Sequence, residues 1–277
     1  MKIIRPLNLI FIGFCVWFGG MTTTNFNKLL LGNSQLLLAT ISLILVAAAG
    51  YVWNDFCDLE IDKINRPLRI LPRNLISQNE ALIWAVILAF SGIAMSFLLS
   101  EFYAKLLIGF STILLFFYSK WLKKKFLVGN LAIGILTGSS FILGEVTLIG
   151  VIQFSTIPAI FAFLFNLARE ILKDLEDLEG DSIGKRQTVP KKYSIQTAQK
   201  IIALILSLII LFSFLPYFLN SYSKIYLISI FITVDLVLAK WILDLLKNAK
   251  LDFSKMQRMM KLDMLFVIFS IWLGKVW

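Results

Sequence analysis

The stretch SQLLLATISLILVAAAGYVWNDFCDLEIDKINRP, Ser34–Pro67, decides the fold. Residues 34–53 carry no charge, and four acids, Asp55, Asp58, Glu60 and Asp62, follow at once. A helix rises about 1.5 Å per residue, so a run of this length crosses roughly 30 Å, the hydrocarbon thickness of a bilayer. The stretch therefore reads as a membrane-spanning helix that delivers carboxylates to one membrane face.

Runs of the same kind recur at about 7–24, 79–99, 102–119, 127–149, 154–172, 198–219, 223–246 and 261–276. Together with 34–53 they predict an all-α, polytopic membrane bundle of about nine transmembrane helices, a single transmembrane domain over residues 1–277. Composition agrees: 58% of the 277 residues are hydrophobic and 16% charged, with mean hydropathy +0.83, whereas soluble domains carry about 25% charged residues. A soluble monomer is excluded, and the absence of period-two alternation excludes a membrane β-barrel. The first run opens with Arg5-Pro6 and lacks a small-residue cleavage site, so it is expected to remain as a span.

Charge sets the orientation. Of 27 Lys and Arg residues, 23 fall on the N-terminus and the connections after the even-numbered runs, leaving Lys28, Lys105, Lys224 and Lys275 on the other side. The positive-inside rule then puts the N-terminus and those connections in the cytoplasm of a multi-pass cell-membrane protein. Topology and attraction to membrane lipids account for the net charge of +10, so no nucleic-acid partner is expected. Cys15 and Cys57 are too few for a disulfide framework, and the chain has no His. The chemistry left open is that of carboxylates, amides and hard cations such as Mg²⁺.

Two segments carry that chemistry. Asp55, Asp58 and Asp62 stand at i, i+3 and i+7, and so do Asp174, Asp177 and Asp181, each trio displaced from the other by 119 residues. The spacing predicts one carboxylate face on each of two continuing helices. Ordinary solvated helix ends would explain one such cluster; two in the same register on the same membrane face point to a site for divalent ions with a polyanion between them. Arg66, Arg69, Lys120, Arg169, Lys173 and Lys185 lie beside the acids and offer forks and point charges to phosphate, which makes diphosphate the natural ligand. Asn54 opens the first cluster and Asn8 the first span; both are candidate substrate contacts, with helix capping as the alternative. Asp235 falls near mid-span with Lys240 and Asp244 below it and reads as a buried salt-bridged or protonated carboxyl, with direct chemistry as the alternative, and Glu145 near the far face reads as interfacial.

Asn54-Asp55-x-x-Asp58-x-x-x-Asp62 with Asn65-Arg66-Pro67, paired with the second acidic motif and with Arg5-Pro6-x-Asn8 at the first span, resembles the UbiA superfamily of intramembrane prenyltransferases. The motif Arg169-Glu170-Ile171-x-Lys173-Asp174-x-Glu176-Asp177-x-Glu179-Gly180-Asp181 resembles the archaeal-lipid branch of that superfamily. The resemblance spans essentially the whole chain. It departs at Leu68–Asn74 and around Gly184 and Thr188–Lys191.

The resemblance implies a bundle around a central cavity, two Mg²⁺ ions on the diphosphate of a prenyl donor, and a lateral opening to the bilayer. It further implies transfer of a geranylgeranyl group to the hydroxyl of geranylgeranylglyceryl phosphate, a lipid-like acceptor from the bilayer, in ether-lipid synthesis. The six aspartates are expected to hold the metal and act in catalysis. Released diphosphate or Glu170 is expected to take the hydroxyl proton, and Lys120 or Lys185 to meet the acceptor's phosphate. The alternatives are an aromatic, quinone-precursor acceptor on the same scaffold, or a membrane transporter, whose carboxylates would be expected at mid-bilayer instead.

Overall fold

In the computed structural model the described residues are 2–24, 32–178, 188–247 and 251–276. Among them the chain is helical throughout: α1 Pro6–Met21, α2 Ser34–Cys57, α3 Leu59–Asn65, α4 Gln78–Ser96, α5 Phe102–Lys120, α6 Val128–Ile149, α7 Thr156–Glu176, α8 Val189–Lys192, α9 Ile195–Phe218, α10 Lys224–Leu246 and α11 Phe253–Val276. Seven of these, α1 (extended to Thr24), α2, α4, α5, α6, α9 and α10, are long and apolar enough to cross a membrane. Helices α7 and α11 reach 21 and 24 residues but carry too many charges to qualify on composition. Arg169, Glu170, Lys173 and Asp174 interrupt α7, and Lys255, Arg258, Lys261 and Asp263 interrupt α11. The nine long apolar segments expected from sequence are thus all helical, and seven meet the apolar criterion.

Local chemistry explains where the helices start. Ser77 and Glu80 form a reciprocal capping box at α4, with Glu80 N–H donating to Ser77 Oγ at 3.2 Å and Ser77 N–H to Glu80 Oε2 at 2.7 Å. Asn33 and Ser194 accept from Leu36 N–H and Thr197 N–H at the starts of α2 and α9. Helix α7 is capped from a distance. Glu145, fully buried on α6, accepts from the backbone N–H groups of Gln153, Phe154 and Ser155 and from the Ser155 hydroxyl. A carboxylate so placed satisfies donors and opposes the positive end of the helix dipole. Glu145 is therefore a structural cap and not the interfacial residue that its position suggested.

Helix α2 packs against α1, α4, α5 and α6, while α7 packs against α6, α9 and α11. The two halves meet where α1 crosses α6. A Cβ on Gly144 would stand 1.8 Å from the carbonyl oxygen of Val16, and one on Gly19 would stand 1.9 Å from that of Phe141. Only hydrogen at both positions lets these backbones touch, the small-residue device of membrane helix packing. Outward faces are apolar, as Phe90 at 73% and Leu211 at 68% exposed show, consistent with a lipid-facing surface.

Two expectations change in detail. Asp55, Asp58 and Asp62 do not lie on one unbroken helix: α2 ends at Cys57, Asp58 takes φ −98° and ψ 5°, and α3 starts at Leu59. The Asp58 N–H to Asn54 O and Asp62 N–H to Asp58 O bonds bridge the break at 2.9 and 2.8 Å. Helix α7 likewise ends at Glu176, with Asp177 at φ −92° and ψ 14°. Each break falls at an acid of its cluster, Asp58 in the first and Asp177 in the second.

Replacing Gly144 with Val should lower the thermal stability of the detergent-solubilised protein by more than the roughly 1–3 kcal/mol of ordinary overpacking, because backbone opposes the new atoms. Gly109→Val, where an added Cβ meets nothing within 4 Å, should change stability by less than about 0.5 kcal/mol. Equal melting shifts for the two variants would refute the packing account.

Candidate active site

The chain reaches the first acid cluster from three directions. Arg5 precedes α1 in a left-handed backbone conformation, φ 52° and ψ 66°, with Pro6 starting the helix. That is a costly region for a residue with a Cβ, and it accompanies a guanidinium that donates from Nη2 to Asp55 Oδ1 at 2.7 Å and lies 4.8 Å from the Tyr51 ring centroid. Arg69, in the turn after α3, bridges two acids through Nη1, at 3.1 Å from Asp55 Oδ1 and 2.5 Å from Asp62 Oδ2. Lys123, in the short turn Leu122–Lys124 between α5 and α6, donates from Nζ to Asp58 Oδ1 at 2.6 Å.

All three aspartates are buried, each 5% exposed. Burial pushes the Asp62 carboxyl above the usual carboxylate range, with Arg69 opposing the shift. Charges in such a place persist only when paired.

The second cluster faces the first. Asp177, at the end of α7, accepts from Arg66 Nη2 at 3.4 Å, linking residues from the two halves of the chain. Asp58, Asp62, Asn54, Arg66, Arg69, Lys173 and Asp177 border one polar cavity of about 40 Å³, which Arg5 also borders. Asp174 turns instead toward α6, where Asn130 Nδ2 donates to its Oδ2 at 2.9 Å. Lys173 pairs with Glu170 at 3.3 Å. Arg169 donates from Nη1 to Asn166 Oδ1 at 2.9 Å and lies within electrostatic reach of Tyr51 and Glu170. Asn8 hydrogen-bonds the Tyr51 side chain, and neither of the two borders the cavity. Asp181 and Lys185 lie outside the described residues.

Lys120 is not brought to the site. It is exposed at the end of α5, 4.8 Å from the ring centroid of Trp121, because the chain turns after it and presents Lys123 to Asp58 instead. Gly129 permits that turn: a Cβ there would fall 2.7 Å from Lys123 Cα. Arg5, Lys123 and Asn130 are the groups that the reading of sequence left out of the site. For Arg5 the signal was its place in Arg5-Pro6-x-Asn8; for Lys123 the run Lys123-Lys124-Lys125 concealed which lysine would turn inward.

Residues 8–265 match the UbiA prenyltransferase family. The chain belongs to that family. It is 36% identical to a digeranylgeranylglyceryl phosphate synthase from Methanococcus aeolicus over 278 aligned residues, covering 100% of this chain and 97% of that one. A solved structure of a digeranylgeranylglyceryl phosphate synthase superposes with a TM-score of 0.77 at 32% identity, covering 99% of this chain and 96% of that one. A UbiA homologue from Archaeoglobus fulgidus, bound to GPP and Mg²⁺, has the same fold: its TM-score is 0.69 at 13% identity, with 99% and 98% of the two chains covered. This UbiA chain is accordingly a multi-pass membrane prenyltransferase, and its acid-lined cavity stands at one end of the bundle that the family shares.

The bridging role of Arg69 can be measured. Arg69→Ala leaves Asp62 without its paired guanidinium and should cost about 2 kcal/mol of stability, less than a fully buried pair because the guanidinium keeps some solvent. Adding Asp62→Asn to that variant should recover part of the loss in a thermal melt. A double variant no more stable than the single one would show that the pair does not set the stability of this end of the bundle.

Proposed function

We propose that the chain transfers a geranylgeranyl group from its diphosphate to the hydroxyl of geranylgeranylglyceryl phosphate, forming the second ether bond of a membrane diether lipid. The observation that carries this reading is the Arg66–Asp177 link across one acid-lined cavity, in a chain that resembles digeranylgeranylglyceryl phosphate synthases over its full length. In this reading the cavity opens to the cytoplasmic side, as the lysine and arginine distribution indicates.

The residues suit a magnesium diphosphate in kind. The donors are oxygen only, from carboxylates and the Asn54 amide, which is the chemistry a hard divalent cation selects. Among the described residues no three acids converge on one point, so the site fits a pattern in which each ion takes a few carboxylates and completes its shell with phosphate and water. Asp55, Asp58 and Asp62 on one side and Asp174, Asp177 and Asp181 on the other would hold two Mg²⁺ ions, and the metal would supply positive charge to offset that growing on the leaving diphosphate.

The side chains have separate tasks. Arg66, Arg69 and Lys173 border the cavity and bind phosphate oxygens, Arg with a fork and Lys with a point charge. Lys123 and Arg5, paired to buried Asp58 and Asp55, preset the local potential before the donor arrives, so little reorganisation accompanies ionisation of the allylic carbon–oxygen bond. The carbocation is then captured by the acceptor hydroxyl oxygen, whose proton passes to the released diphosphate or to Glu170, and the surrounding apolar helices keep water away from it.

With geranylgeranyl diphosphate, Mg²⁺ and geranylgeranylglyceryl phosphate, purified protein should form the diether product. Asp58→Ala and Asp177→Ala should each lower turnover by at least about 10²-fold, the scale on which charge-stabilising groups act. Near-normal turnover in either variant would refute the paired-acid site. Prenylation of aromatic acids alone would overturn the acceptor and leave the donor chemistry in place.

A further inference from the structure

The end of α7 carries Asp174, Glu176 and Asp177. A helix end left alone frays, because its final carbonyls have no intrahelical partner. Successive residues of a helix are turned by about 100°, so these three side chains leave the last turn in three directions, and each meets a different element. Asp174 accepts from Asn130 Nδ2 of α6 at 2.9 Å. Asp177 accepts from Arg66 Nη2, in the chain after α3, at 3.4 Å. Glu176 faces α11, where its Oε2 accepts from Gln257 Nε2 at 2.7 Å and its Oε1 from the Ser254 hydroxyl.

Asn130 and Arg66 hold acids that the proposed reaction assigns to metal, and Arg66 is itself assigned to phosphate, so both of those contacts change when ligand binds. Ser254 and Gln257 border no part of the acid-lined cavity, so their grip on Glu176 persists through the reaction.

The surrounding seam does not replace that grip. Met256 and Met260 of α11 share one core cluster with Ile171, Leu172 and Leu175 of α7, all of them buried. Apolar packing of this kind fixes the spacing of two helices, while methionine, unbranched and with three rotatable bonds, adapts to a small rotation. A carboxylate held through both oxygens by donors at i and i+3 of one helix fixes direction as well. Asp177 follows Glu176 directly, and its N–H remains bonded to Lys173 O at 2.9 Å, so the two residues rotate together.

We infer that Ser254 and Gln257 are positioning residues for the second acid cluster: by holding Glu176 they set the rotation of the last turn of α7 and aim Asp177 at the cavity. The inference rests on the metal-holding role proposed above for Asp177. Without the anchor the Asp177 carboxylate spreads over several orientations, and metal binds only the fraction that faces the cavity, which lowers the apparent affinity by that fraction. Once metal is bound, the orientation is the same with or without the anchor. The effect therefore falls on metal affinity and not on the rate at saturating metal. Neither residue belongs to the Asp-rich segments, and both come from a helix that carries no part of those motifs.

The test uses the full chain in nanodiscs with inorganic diphosphate and Mn²⁺, whose free fraction is read by electron paramagnetic resonance. Gln257→Leu should weaken Mn²⁺ binding about three- to tenfold, the range in which a single hydrogen bond acts, and Ser254→Ala should act in the same direction. Gln257→Lys, whose ammonium still donates to the carboxylate, should stay within about twofold of wild type. In a Glu176→Leu background, Gln257→Leu should change the affinity by less than about twofold, because the anchor is already gone. In turnover, the half-saturating Mg²⁺ concentration should rise with the Mn²⁺ constant, while the rate at saturating Mg²⁺ stays within about twofold. Glu176 is exposed and Gln257 half-buried, so the variants should fold, with melting temperatures within about 4 °C of wild type. Wild-type Mn²⁺ affinity in Gln257→Leu, a loss that Gln257→Lys does not restore, or full additivity with Glu176→Leu would overturn the anchor and leave the metal role of Asp177 standing. Unchanged Mn²⁺ binding in Asp177→Ala would overturn that role and the anchor with it.

Discussion

Buried carboxylates that must be neutralised govern the architecture of this end of the bundle. Asp55, Asp58 and Asp62 are each withdrawn from water and each sits on a cation, from the segment before α1, the turn before α6 and the turn after α3 respectively. An unpaired charge in such surroundings costs several kcal/mol. The pairs therefore tie together segments that the apolar helices alone would leave free to slide, since lipid offers hydrocarbon side chains nearly the same environment as a neighbouring helix does. The Arg66–Asp177 contact extends the network across the two halves of the chain.

The same balance serves the chemistry. A site made only of acids would demand metal before it could form, and a site made only of bases would hold diphosphate too firmly to let it leave. Acids and bases in alternation make a cavity held as a set of ion pairs, which in the proposed reaction would give way to a magnesium diphosphate. Helix α7, whose end brings Lys173 and Asp177 to the cavity, carries too many charges to pass as an ordinary span.

Packing supplies the rigidity that the charges need. Helices α1 and α6 meet backbone to backbone at Gly19 and Gly144, and the buried Glu145 fixes the start of α7 through three backbone donors. Helix α10 contains a π-helical segment, Phe231–Asp235, whose Asp235 accepts from Ser213 at 2.8 Å. This hydrogen bond ties α10 to α9, away from the acid-lined cavity.

What the residues determine by themselves is whatever depends on short range. The length of 34–53 in uncharged residues sets a span, and the spacing of Asp55, Asp58 and Asp62 brings three acids to its end, because both follow from helix rise and pitch over a few turns. Partner choice belongs to the tertiary structure. Lys123 and Asp58 are 65 residues apart, Arg5 and Asp55 are 50 apart, and Arg66 and Asp177 are 111 apart, so no local rule selects among the many lysines and arginines near the membrane face. Lys123 prevails over Lys120 through a short turn and a glycine contact, and Arg69 reaches both Asp55 and Asp62 because the turn after α3 folds back over them. Coulomb energy inside a low-dielectric bundle depends on distances of a few ångströms, and only the packed helices set those distances.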